Sequence, residues 1–152
     1  MSVAQRIDPN EVSPAACVAN NLRMVTRTIV QAYEDALRPS GLTIAQFSTL
    51  GTLNQTGPLP LTKLADAMEL DRTTLARNLR PLERDGLVQI TPDVDDRRVR
   101  VVSLTEDGGA ALERAVPLWV AVQQRFLSGL GTANVNHLLD TFDQIRDLAA
   151  VE

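Results

Sequence analysis

Two short clusters hold most of the residues able to do chemistry: Arg72, Thr73, Thr74 and Arg77 in one, Asp96, Arg97, Arg98 and Arg100 in the other. Arginine presents a planar fork of donors that matches phosphate oxygens and the acceptor edge of guanine, while threonine offers a hydroxyl to a phosphate and a methyl to thymine. Where such side chains stand at the start of a helix, the free backbone N–H groups there add capacity for anions. These residue types serve recognition. Catalysis has less to work with, since the chain carries one histidine, His137, and one cysteine, Cys17. With no Gly-rich phosphate loop and no acid pair beside a partner group, an enzyme is not expected. The same two counts rule out an intramolecular disulfide and leave no cluster of metal-ligand spacing, so neither a metal nor a cofactor is expected.

The charge balance says where binding to a polyanion must be concentrated. The 152 residues carry 15 Lys and Arg against 19 Asp and Glu, a net charge of -4. That balance excludes a generally basic coat and a polybasic membrane anchor. Residues 72–100 hold seven Arg against five acids, so this stretch is +2 and the remainder is -6. The 44% apolar content is enough for one packed domain. No stretch reaches bilayer length, and a cytoplasmic protein is expected.

The elements that must position these clusters follow from periodicity and punctuation. Val18, Leu22, Val25, Ile29, Ala32 and Ala36 step by threes and fours, the signature of an amphipathic helix that stops at Arg38 before Pro39. Thr43 to Gln46 reads as a capping box for a second helix, with Ile44, Phe47, Leu50 and Leu53 as its stripe until Gly57-Pro58. Two short helices at 63–68 and 72–84, separated only by Glu69-Leu70-Asp71, have helix-turn-helix spacing. Thr62 and Asp71 are expected to cap them. Gly86 ends the second, and apolar runs at 87–91 and 99–104 flank the polar loop 92–98 as a β-hairpin. Thr105 caps a long helix with Leu112, Ala115, Trp119, Val122 and Phe126, interrupted at Gly129 and Gly131. A last helix from about Ala133 carries Val135, Leu138, Phe142, Ile145 and Leu148. One small domain cannot cover the stripes at both ends by itself, so a partner is expected.

Three runs in this order resemble the multiple antibiotic resistance regulator (MarR) family from about Ser13 to Ala150. The run 61–68 (LTKLADAM) is similar to its support helix and 70–79 (LDRTTLARNL) to its recognition helix. The set 82–88 (LERDGLV), Asp96-Arg97-Arg98 and 104–108 (LTEDG) is similar to its helix end, D-x-R wing and following helix cap. The resemblance implies a mainly α fold with a small β-hairpin wing, a winged helix-turn-helix with N- and C-terminal dimerisation helices. Its parts are a single domain over 1–152, a DNA-binding lobe at 43–104, and dimerisation helices at 14–38 and 106–150. It implies a homodimer on double-stranded DNA at a pseudo-palindromic operator, with recognition helices in successive major grooves. By the motif, Arg98 enters a narrow minor groove while Asp96 holds its guanidinium, and Arg97 and Arg100 touch phosphates. The implied function is a transcriptional regulator, read as a repressor, responding to a small aromatic or phenolic effector.

Some features stand apart. Pro81 and Pro117 lie inside expected helices, where each removes a backbone hydrogen bond and should bend the axis. Asp93, Asp95 and Asp96 would repel a DNA backbone. Cys17 lies where hydroperoxide-sensing members of the family keep a reactive thiol, but this chain has only Tyr33 in place of their surrounding tyrosines. A packing role against Met24 is the expectation, and a redox-sensing regulator is the alternative. A winged-helix module for protein interaction without DNA binding is the other.

Overall fold

Three helices begin through the same chemistry, in which a short side-chain oxygen accepts an N–H group that the first helical turn leaves free. Thr43 Oγ1 accepts the Gln46 N–H at 3.2 Å while Gln46 Oε1 accepts the Thr43 N–H at 2.9 Å, completing the expected capping box. Asp71 and Thr105 cap in the same way. The computed structural model describes residues 17–150; residues 14–16 of the expected N-terminal dimerisation segment, with the other terminal positions, lie outside the described residues.

The elements run α1 (Val18–Leu37), a single 3₁₀ turn (Arg38–Ser40), α2 (Ile44–Thr56), β1 (Leu59–Pro60), α3 (Leu61–Ala67), α4 (Arg72–Arg84), β2 (Val88–Pro92), β3 (Arg100–Leu104), α5 (Glu106–Leu130) and α6 (Thr132–Ala149). This is a mainly helical winged helix-turn-helix. Its antiparallel sheet has the order β1-β3-β2, with Val102 facing Ile90 on one side and Leu59 on the other. Pro60 is tolerated because β1 is an edge strand.

Four local expectations need correction. Thr62 caps nothing: α3 starts directly from β1 at Leu61, with Pro60 in the cap position, so Thr62 is already helical. Gly129 does not interrupt α5, since one glycine costs a helix only about 1 kcal/mol. The break falls at Gly131 alone, where φ is +80°. α1 does stop where expected, at Leu37 with Arg38 as its C-cap, and Pro39 fits the first turn of the 3₁₀ segment that follows. Cys17 does not pack, being exposed along with Met24. β2 is also displaced by one residue from 87–91, and β3 starts one residue later than 99 while keeping its end at Leu104.

The core gathers Leu37, Leu50, Leu53, Leu64, Leu75, Leu79, Leu82 and Val102, all essentially solvent-free, with Ala111, Leu112 and Ala115 of α5 laid across them. Phe47 stacks on Trp119 at 5.8 Å, and Tyr33 on Phe126 at 5.9 Å. The Tyr33 hydroxyl donates to Gln123 Oε1 at 2.5 Å. α5 is thereby joined to both α1 and α2. The ends are different: α6 buries no residue fully, and α1 buries only Leu37. Val18, Val25, Leu139 and Leu148 are each more than half exposed.

Candidate nucleic-acid interface

α4 is amphipathic in a way that settles which face is free. Leu75, Leu79 and Leu82 are buried, which turns Arg72, Thr73, Arg77 and Arg80 outward. Its start is held by Asp71, whose carboxylate accepts the Thr74 N–H at 2.9 Å and the Thr74 hydroxyl proton at 2.6 Å. These bonds, the Thr74 hydroxyl first and its N–H second, hold the Asp71 carboxyl below the usual carboxylate range. Of the expected recognition residues, Arg72, Thr73 and Arg77 are exposed. The half-buried Thr74 instead directs its hydroxyl proton to its own cap. Pro81 sits in α4 without ending it, because the helix runs on to Arg84.

The hairpin tip is built by aspartates. Asp93 Oδ1 accepts the N–H groups of Asp95 and Asp96 at 2.9 and 3.1 Å, and Val99 closes the loop through two backbone bonds with Asp93 and Asp96. Asp96 then accepts the Arg98 N–H and Nε–H through Oδ1, each at 3.0 Å, and its Nη2–H through Oδ2 at 3.0 Å. This is the two-pronged geometry in which guanidinium and carboxylate match best. The Arg98 side chain bonds push the Asp96 carboxyl down and the Arg98 guanidinium up from their ordinary values. The Arg98 side chain is nonetheless 91% exposed, so its outer edge projects into solvent.

Arg97 is exposed, whereas Arg100 folds back and donates to the Ile90 carbonyl at 3.3 Å. Asp93 is the residue that sequence reasoning misread. Counted there only as a repelling charge, it organises the tip; its place as the first acid of a turn, with N–H groups two and three residues on, was the available signal. The root of the wing is fixed where the Thr105 hydroxyl donates to the Gly86 carbonyl at 2.7 Å and the Thr105 N–H to the Leu87 carbonyl at 3.2 Å.

An outward-facing helix and a projecting arginine on an adjoining hairpin form one bipartite basic surface. The MarR family model matches residues 42–99, which cover both. The chain is similar to the transcriptional regulator MosR of M. tuberculosis, solved in complex with DNA, at 38% identity and a TM-score of 0.77, covering 89% of this chain and 99% of that one. The chain belongs to the MarR family. It is thus one of the winged-helix DNA-binding transcriptional regulators. It is also similar to the repressor NicR of Pseudomonas putida, 40% identical over 76 residues, a segment that spans about half of each protein, 50% and 48%. BpsR of Bordetella bronchiseptica, whose DNA binding is regulated by 6-hydroxynicotinic acid, superposes with a TM-score of 0.80 at 26% identity over 93% of this chain and 99% of its own. Among the described residues, no helix is long and apolar enough to cross a membrane.

Proposed function

We propose that this MarR-family chain is a cytoplasmic homodimeric repressor that reads a pseudo-palindromic operator and is released by a small aromatic or phenolic effector. The observation that carries the DNA assignment is Arg98 gripped by Asp96 at the wing tip beside the outward face of α4. A guanidinium held on one edge and free on the other suits insertion into a narrow minor groove, where the negative potential is enhanced. Arg72, Thr73 and Arg77 then suit phosphates and base edges in the major groove, with Arg97 left for phosphate. The exposed apolar faces of α1 and α6 support a second copy as the partner, since a lone chain would leave them in water.

For the effector, a cleft of about 730 Å³ between α1 and α5 supplies guanidinium groups from Arg27 and Arg125 against the single carboxylate of Asp35, with Ala32, Ala36 and Val122 as its apolar part. An acid carrying an aromatic ring matches that lining. Two measurements test the homodimer and the DNA assignment. Sedimentation at micromolar concentration should give twice the 16.6 kDa chain mass. Retention on duplex DNA should fall linearly with the logarithm of salt concentration, and Arg77→Ala should flatten that slope or relax sequence preference. A monomer with no salt-dependent retention would leave a protein-interaction module as the function.

A further inference from the structure

The corner between α3 and α4 carries an unusual residue. α3 ends in a Schellman arrangement, with the Leu70 N–H bonded to the Ala65 carbonyl at 2.9 Å and the Glu69 N–H to the Asp66 carbonyl at 3.1 Å. That arrangement needs a left-handed residue, normally glycine. Here Glu69 takes the position with φ +52°, the one non-glycine residue with positive φ among those described. Its carboxylate Oε2 lies 3.4 Å from Nε of Arg146 on α6, and Arg146 Nη1 donates to Asp143 Oδ1 at 2.7 Å. This is the one ion pair among the described residues that ties the C-terminal helix to the DNA-binding lobe. It acts two residues before Asp71, where the recognition helix begins.

We infer that Arg146, acting through Glu69, is a positioning residue for DNA recognition: the pair pins the left-handed corner to the C-terminal helix and sets where α4 starts relative to it. Because α6 is taken as a dimerisation helix, the inference rests on the homodimer proposed above, in which two such struts fix the separation of the two recognition helices. An exposed ion pair adds little to folding. Its effect falls instead on the alignment of α4 with its half-site, and each dimer carries it twice.

The charge sign makes the idea testable. Removing a carboxylate so close to the start of the recognition helix should strengthen binding to a polyanion, whereas a lost strut weakens it. The probe is the duplex that the wild-type protein selects from a random-sequence pool, and the variants are Glu69→Gly, Glu69→Gln, Arg146→Gln and the double Glu69→Gln/Arg146→Gln. Each is expected to bind that duplex about three- to tenfold more weakly, the double no more weakly than the singles, with dimer mass unchanged. Glu69→Gly should unfold no earlier than wild type, because glycine adopts the left-handed corner without strain, so stability and binding move independently. Unchanged or tighter binding by either Glu69 variant overturns the inference, as do losses that multiply in the double variant. If the wild type selects no duplex, the DNA-binding proposal itself fails and this inference with it.

Discussion

Gly108→Ala sets two effects of opposite sign against each other. Within a helix, alanine is favoured over glycine by up to about 1 kcal/mol, so propensity alone makes the variant more stable. Gly108, however, lies in the first turn of α5, where an added Cβ would stand 2.0 Å from the Leu87 carbonyl oxygen, 2.8 Å from Leu104 Cδ1 and 2.9 Å from the Leu87 carbonyl carbon. Two of these are backbone atoms, so no rotamer change relieves them. Moving Leu87 away breaks the bond its carbonyl accepts from the Thr105 N–H and strains the neighbouring Thr105 to Gly86 bond. Overpacking costs about 1–3 kcal/mol and each weakened hydrogen bond about 1 kcal/mol, leaving a net loss of about 2–3 kcal/mol after the propensity gain. For a chain of this length that lowers the unfolding temperature by about 5–10 °C in differential scanning calorimetry. An unchanged or higher transition would refute the reasoning, because it would mean that the start of α5 does not rest on the Leu87 backbone. The same shift moves the wing root, so DNA affinity should fall as well.

Arg98→Ala is expected to weaken binding to the selected duplex about tenfold or more, most where the flanks are A·T-rich; equal affinities at fixed salt would remove the wing from the interface. Asp71→Ala should lower the unfolding temperature by about 2–4 °C, the ordinary worth of a helix cap in a chain this long, and calorimetry reads it directly. The Asp71 and Asp96 carboxyls are both held below their ordinary values, so the stability they contribute is present above the unfolded-state pKa and disappears only as pH falls through the lower folded one. Stability and DNA affinity should therefore show no loss attributable to these groups between about pH 5 and 8; a variant lacking either carboxylate that removes a pH dependence in that window contradicts this. Cys17 is exposed and stands at the N-cap of α1 without making a side-chain cap. Cys17→Ser should keep DNA binding and its effector response, and peroxide should leave the wild-type complex intact. Dissociation by low peroxide in the wild type but not in Cys17→Ser would make redox sensing the function.

What the sequence determined by itself is what short-range chemistry decides. Thr43, Asp71 and Thr105 cap helices because the N–H groups they satisfy lie three residues on, and the apolar spacing of Leu75, Leu79 and Leu82 turns Arg72 and Arg77 outward without reference to any other segment. The D-x-R tip was legible through the family resemblance, and the grip it implies is itself local, since Asp96 and Arg98 bond across two residues. Other features exist only once distant segments meet. The two-residue β1 is a strand solely because Leu59 and Pro60 find Val102 and Val101, and α3 follows it directly from Leu61, ahead of Thr62. Arg100 turns back because the Ile90 carbonyl lies across the hairpin. Gly108 must be glycine because the Leu87 carbonyl arrives from the turn before β2, and Glu69 meets Arg146 from the far end of the chain. No local pattern encodes these contacts, because the partner that makes each one favourable is brought near only by burial of the common core.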